Sequence, residues 1–315
     1  MSRRSTNHTA LPFVLLLMVT GCRPAAISLT RSSACERLSP GRSGLELVVL
    51  GSGGPASTGR AASGYLVMVD GVARALVDTG PGTFLRLGEL GVDLAELDLV
   101  LLTHLHIDHA GDLPGFVKSR DLSSRRPLRF QIVGPAAGPD YPSTTDFVES
   151  LFGAAGAFRY LPGFRNELTF EVVDVKAASA RVVERPGLWV TAIPVDHGGV
   201  PALAFRVEAQ GRSITFTGDL NSKSDDIIGL AAGSDVLVYD ATVLDPPAAP
   251  PVLYELHTAP RRIGEVAAAS RVHRLVLSHL TPSVEGAREA VRASIRTGGW
   301  QGQLDFAEDC QQITP

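Results

Sequence analysis

The chain has no excess of positive charge. Its 315 residues carry 29 Lys and Arg against 33 Asp and Glu, a net charge of −4. Nothing in that balance neutralises a phosphate backbone, which argues against a nucleic-acid binder. No run of like charges marks an acidic or basic tail. No apolar stretch near the N-terminus is long enough to span a bilayer comfortably, since "ALPFVLLLMV" ends after residues 10–19. The glycine-rich "GSGGP" (51–55) lacks the GKS or GKT ending of a nucleotide P-loop and reads as a tight turn. Cysteine is scarce at three residues, and histidine totals only eight. What is there is ordinary globular composition, 44% hydrophobic and 20% charged, enough for one large domain or two small ones.

The N-terminus reads as a targeting segment. Arg3 and Arg4 precede the apolar stretch, which runs into "VTGC" at 19–22. Small residues before a cysteine resemble the lipobox of bacterial lipoproteins, in which cleavage precedes the cysteine and that cysteine is acylated. The alternative is an ordinary secretory signal with an incidental Cys22. The expected organisation is a leader over 1–21, a polar tether over 22–43 and a folded body over 44–315. The expected location is the cell envelope, lipid-anchored through Cys22 and facing the periplasm. Arg23 in place of an aspartate, by resemblance to other lipoproteins, favours the outer membrane. The two remaining cysteines, Cys35 and Cys310, are either a disulfide or two unrelated thiols.

The body opens β-rich and then takes on a βα rhythm. "LELVVLG", "GYLVMVD", "ARALVDTG" and "LDLVLLT" (97–103) read as strands, with a helix at 82–91 and another from "LPGFVKSR". The second half repeats the pattern with strands at 188–195, in the hairpin 202–219 and in 235–242 and 274–280. Helices follow from "RRIGEVAAAS" and "GAREAVRASIR". Two such units predict an α/β fold, an αββα four-layer sandwich of two mixed sheets flanked by helices. Residues 121–187 carry no legible motif and are expected to shape a pocket wall.

Three of the eight histidines fall within "THLHIDHAGD", directly after an apolar strand. Polar residues also close the other strands: Asp78, His197, Asp219, Asp240 and His279. Strand ends along one edge of a sandwich converge, so these residues should meet. Imidazole and carboxylate without cysteine suit zinc, with manganese or iron as alternatives. His104 and His106, two apart on extended chain, can point to one side. Asp108 and His109 follow on the turn and can face a second ion about 3.5–4 Å from the first.

His104-Leu105-His106-Ile107-Asp108-His109 resembles the H-x-H-x-D-H signature of the metallo-β-lactamase superfamily, over about residues 45–306. Later ligands match in order at His197, Asp219 ("TGD") and His279 ("LSH"). The resemblance implies one metal on His104, His106 and His197, a second on Asp108, His109 and His279, and Asp219 as a bridge. It makes Asp78 an outer aspartate that steadies a ligand. Two cations sharing a water would lower its pKa enough to give hydroxide near neutral pH. "VYDAT" and "LHTAPRRIGEVA" resemble the ribonuclease Z and arylsulfatase-like branch. There a histidine, here His257, protonates the leaving group or steadies the transition-state oxyanion, oriented by a carboxylate, here Asp240 where the family usually has glutamate. The expected catalytic residues are Asp108, His257 and Asp240.

Ribonuclease Z itself is disfavoured by two features. Only 21 residues separate His197 from Asp219, too few for a long tRNA-gripping insertion. A chain exported on a lipoprotein signal would also not meet precursor tRNA. The expected activity is hydrolysis of a small ester, phosphodiester or sulfate. A lactonase of the same fold and a non-catalytic metal-binding, ligand-sensing lipoprotein are the alternatives. The implied partners are a small-molecule ester substrate and the membrane, with no nucleic acid; a homodimer is compatible.

Overall fold

The computed structural model describes residues 35–38, 43–56, 58–176 and 180–315. The leader, and with it the Cys22 lipobox, lies outside the described residues. Two seven-stranded sheets face each other. The first contains β1 (Leu45–Gly51), β2 (Gly64–Val69), β3 (Val72–Thr79), β4 (Leu99–Leu101), β5 (Leu128–Pro135) and β6 (Leu168–Val175) in chain order. The second contains β7 (Ala180–Arg185), β8 (Leu188–His197), β9 (Val200–Ala209), β10 (Arg212–Phe216), β11 (Val236–Asp240), β12 (Arg274–Ser278) and β13 (Gln303–Phe306). The last strand, β14 (Gln312–Ile313), crosses back to pair with β1 in the first sheet.

The strands read as continuous apolar runs because both of their faces are buried. On β1, Leu47 and Val49 enter the core between the sheets, while Val48 and Leu50 enter the layer under the first set of helices. That layer includes α1 (Thr83–Leu90), α2 (Ile107–Ala110), α3 (Leu113–Ser123) and α4 (Thr144–Phe152). On β11, Val236 and Val238 face inward and Leu237 and Tyr239 outward. The outer layer of the second sheet includes α5 (Asp226–Ala231), while α6 (Pro251–Leu256) buries none of its residues; α7 (Pro260–Ser270), α8 (Pro282–Glu285) and α9 (Arg288–Thr297) complete the layer. The four-layer sandwich is therefore the architecture found.

Local chemistry sets the turns. The expected hairpin at Gln210-Gly211 forms, with both residues in the left-handed region (φ 52° and 71°) that a two-residue β-turn demands. β4 is shorter than expected, because the chain leaves the sheet at Leu102 to begin the histidine segment. The folded body also begins earlier than residue 44. Cys35 and Cys310 form a disulfide with Cα atoms 5.7 Å apart. Leu38 N–H donates to the Leu90 carbonyl of α1 (3.1 Å), so part of the stretch read as tether is packed on the body. No helix among the described residues is long and apolar enough to cross a membrane.

Candidate metal centre

Strand direction assembles the site. β3 to β6 run parallel, as do β10 to β13, and β8 runs the same way as β10 through antiparallel β9. Their C-terminal ends share one edge, the usual place for a site in such sheets. Asp78 stands near the end of β3, His104 and His106 just after β4, and Asp108 and His109 in α2. His197 ends β8, Asp219 follows β10, Asp240 ends β11, His257 caps α6 and His279 follows β12. Leu203 N–H of β9 donates to the Thr103 carbonyl (2.8 Å) and ties the two sheets together at this edge.

All of the expected ligand residues converge. His104, His106 and His197 present ligand atoms within 4.8 Å of one another, and so do Asp108, His109 and His279. His104 Nε2 and His106 Nδ1 are 3.0 Å apart, and His279 Nε2 is 3.2 Å from Asp108 Oδ2. Asp219 Oδ2 lies between the triplets, 3.3 Å from His279 Nε2, 3.5 Å from His109 Nε2 and 3.9 Å from both His104 Nε2 and His197 Nε2. His257 stands at the side. Its Nδ1 is 2.9 Å from Asp240 Oδ2 and 4.0 Å from Asp219 Oδ2. Asp240 therefore reaches His257 although it is one methylene shorter than glutamate.

Outer contacts fix which nitrogen faces inward. His109 Nδ1 is bonded to Asp78 Oδ2 (2.8 Å), His197 Nδ1 to the Leu256 carbonyl (2.8 Å) and His279 Nδ1 to Thr242 Oγ1 (2.7 Å). His104 Nδ1 is 3.1 Å from Thr103 Oγ1. In all four rings Nε2 is left for the centre, an arrangement typical of metal-binding histidines. Asp78 is itself held by Thr103 N–H (2.7 Å) and Thr103 Oγ1–H (2.8 Å). Asp78 and His279 both adopt left-handed backbone (φ 58° and 55°), a strained state for such residues that is common at functional sites. Gly54 of the "GSGGP" turn abuts the site, because a Cβ there would lie 2.6 Å from His279 Cε1.

The electrostatics follow from burial and crowding. Burial drives His104 well below the ordinary histidine range and lowers His197 to about 4. Burial also opposes charge on His109, but Asp219 and Asp78 outweigh it and push that imidazole well above its usual value. Burial alone would raise Asp219; His279, His109 and His104 pull it well down instead. Burial pushes the Asp240 carboxyl up to about 6 against the pull of His257. His257 rises because its bond to Asp240 outweighs burial.

The donor set fits divalent metal ions. His109 Nε2 and His197 Nε2, one from each triplet, are buried without a hydrogen-bond partner. Orphaned buried nitrogens are costly unless a ligand takes them. Both face Asp219, and all the donors are imidazole or carboxylate. Thr103, Thr242 and the Leu256 carbonyl escaped sequence reasoning. Thr103, directly before His104, was the one with a local signal; the partners of the other two lie 37 and 59 residues away.

This strand-end cluster on a four-layer sandwich defines a metallohydrolase class. The beta-lactamase superfamily domain matches residues 73–280, and the chain belongs to that family. By that membership it is a metal-dependent hydrolase. A relative, ribonuclease Z of Mycolicibacterium paratuberculosis, is 30% identical over 284 residues, 85% of this chain and 98% of that one. Among solved structures, human tRNase Z, short form, aligns with a TM-score of 0.63 at 23% identity, over 85% of this chain and 98% of that chain. Zn(2+)-bound PqqB from Methylobacterium extorquens aligns with a TM-score of 0.64 at 18% identity, over 86% of this chain and 100% of that chain. The two structures share the fold.

Proposed function

We propose that the chain is a dinuclear hydrolase of small esters, phosphodiester or sulfate, that works in the bacterial cell envelope. The observation that carries this is the meeting of two histidine and carboxylate triplets at Asp219 with an Asp240–His257 pair beside them. His104, His106 and His197 would hold one ion and Asp108, His109 and His279 the other, with the Asp219 carboxylate within reach of both triplets. Zinc suits these donors best, with manganese or iron as alternatives. When bound, the ions supply an acidified water and an electrophilic pull on the ester oxygen. The remaining work falls to side chains. Burial raises the Asp108 carboxyl, but its bond to His279 and the nearby His109 hold it low. It therefore stays ionised and can accept a hydrogen bond from the attacking water. His257 spends Nδ1 on Asp240 and presents Nε2–H to the departing oxygen, to which it gives its proton.

The surroundings favour a small substrate over a polyanion. A cavity of about 570 Å³ lies at the ends of β5, β6 and β8, lined in part by Asp146, Asp174 and Lys176. Tyr141, on the loop that follows β5, has its ring 6.0 Å from that of His106. A second cavity of about 350 Å³ contains Asp196 and Asp226 and no cationic residue. A neighbouring cavity of about 520 Å³ adds Arg206 and Glu208, and five carboxylates against two cations do not track a phosphate chain. RNA hydrolysis is the competing reading, and the ribonuclease Z relative supports it. The short His197–Asp219 span does not argue against it: 284 aligned positions against 85% of 315 residues leave about 16 for insertions in that relative.

Two features support the envelope location: the "VTGC" cysteine in the sequence and the Cys35–Cys310 disulfide, a bond that persists in oxidising compartments. The deciding experiment incubates the zinc- or manganese-loaded protein with nitrophenyl sulfates, bis-nitrophenyl phosphate, lactones and a structured RNA. Turnover of a small phosphodiester or sulfate with no RNA cleavage at low salt is expected. RNA cleavage that falls steeply with salt would replace the small-ester reading.

A further inference from the structure

We propose that Ser222, Tyr239 and Thr258 form a buried hydroxyl brace that sets His257 against Asp219, as positioning residues for the proton transfer. The proposal rests on the role given to His257 above. Each member is a near neighbour in sequence of one group it serves. Tyr239 precedes Asp240, Thr258 follows His257, and Ser222 lies three residues past Asp219.

The side chains meet. Ser222 Oγ is hydrogen-bonded to Tyr239 Oη, and Thr258 Oγ1 lies 2.9 Å from Ser222 Oγ. Thr258 Oγ1–H donates to the Leu220 carbonyl (2.7 Å), one residue past Asp219. All three are 5% exposed or less. Ser222 sits at φ 51°, a strained conformation that the surrounding bonds must hold in place.

The His257 ring is buried beside those of His197 and His279, but the helix before it offers the chain little hold. The helix that delivers it, α6, buries none of its residues. The strands beside it supply no ladder to residues 255–258. Beside the His257 N–H bond to the Leu253 carbonyl (2.8 Å) and the Asp240 contact, they are held by hydrogen bonds from the neighbouring loop and strand end: Asn221 Nδ2–H to the Glu255 carbonyl (2.7 Å), His197 Nδ1–H to the Leu256 carbonyl (2.8 Å) and the hydroxyl brace at Thr258. Proton transfer tolerates little error in the placing of that imidazole, since a 1 Å error costs up to roughly 10²-fold.

The test uses Tyr239→Phe and Thr258→Val, which remove one hydroxyl each with little change of shape, and Thr258→Ser, which keeps it. Rates are measured on a nitrophenyl ester and on the alkyl ester of the same acid, beside metal content and the Nδ1–H resonance of His257 in histidine-labelled protein. The expected loss is about tenfold or more for the alkyl ester and under about twofold for the nitrophenyl ester. Metal content should be unchanged, the His257 Nδ1–H should exchange faster, and Thr258→Ser should recover most of the rate. Equal losses on both esters, or an unaltered Nδ1–H signal, would overturn the brace. If Tyr239→Phe does not fold, Ser222→Ala poses the same question from the centre of the network. His257→Ala separates the two failures. If that variant shows no preference among leaving groups, the donor role of His257 is wrong, while the resonance still reports on the brace.

Discussion

Replacing Asp78 by asparagine changes one oxygen for one NH₂ and should cripple one metal site through His109, the histidine it bonds directly. In the native protein Asp78 only accepts. Oδ1 takes Thr103 N–H at 2.7 Å, and Oδ2 takes Thr103 Oγ1–H and His109 Nδ1–H at 2.8 Å each. Asparagine keeps a single acceptor oxygen. If the NH₂ faces Thr103 N–H, two buried donors collide. If it faces His109, that ring must accept at Nδ1 and carry its proton on Nε2, the atom proposed to hold the metal. Either outcome leaves a buried donor unpaired or demands a tautomer switch, at about 1–3 kcal/mol. At 1.4 kcal/mol per tenfold, the ion on Asp108, His109 and His279 should bind about 5- to 150-fold more weakly. The other ion should be little affected, since His104, His106 and His197 take no bond from Asp78. Competition against a chromophoric chelator yields both dissociation constants, and long-range ¹⁵N spectra assign the His109 tautomer. Two affinities within twofold of wild type, with Nδ1–H retained on His109, would refute the reasoning.

Other outcomes follow from the same geometry. His257 has its pKa raised by Asp240, so its acid form persists below that value and is lost as pH rises through it. The rate on poor leaving groups should therefore fall along an alkaline limb, and Asp240→Asn should move that limb to lower pH, because the main opposition to burial is then gone and only the weaker pull of Asp219 remains. A limb that stays put would remove Asp240 from this role. The disulfide closes 275 residues, and its reduction or Cys35→Ala should cost about 2–5 kcal/mol of stability. An unchanged urea midpoint under reductant would contradict that. Gly54→Ala should displace the His279 ring and lower metal content toward one ion per chain; elemental analysis that still finds two would show that the turn yields instead.

The apolar runs and their polar ends made the fold and the ligand set legible before any coordinates. A two-sided strand shows itself as an unbroken apolar run, and the runs of β3, β4, β8, β10, β11 and β12 each lead into a histidine or an aspartate at or just past the strand end. Partners far apart in sequence were not legible. Thr242 under His279 and the Leu256 carbonyl under His197 join segments whose meeting depends on the completed sheets. The Cys35–Cys310 pair was undecidable for the same reason, as it needs β14 to return beside β1. Residues 121–187 gave no motif because they supply ordinary strands and a capped helix along a cavity. Such walls are made by shape, with no required residue type at fixed spacing.

The Cys35–Cys310 bond also decides how the molecule answers a pull. Cys310 N–H donates to Val49 O at 2.7 Å, and β14, two residues further on, is bonded to β1. A load that arrives along the chain from the N-terminal side enters at Cys35 and passes at once through sulfur to that junction. It reaches the β1–β14 pair without crossing the chain between Cys35 and β1. A body closed in this way answers a pull on its first described residues at the β14 edge of the first sheet, with β1, β2 and β3 between that edge and β4, after which the histidine segment begins.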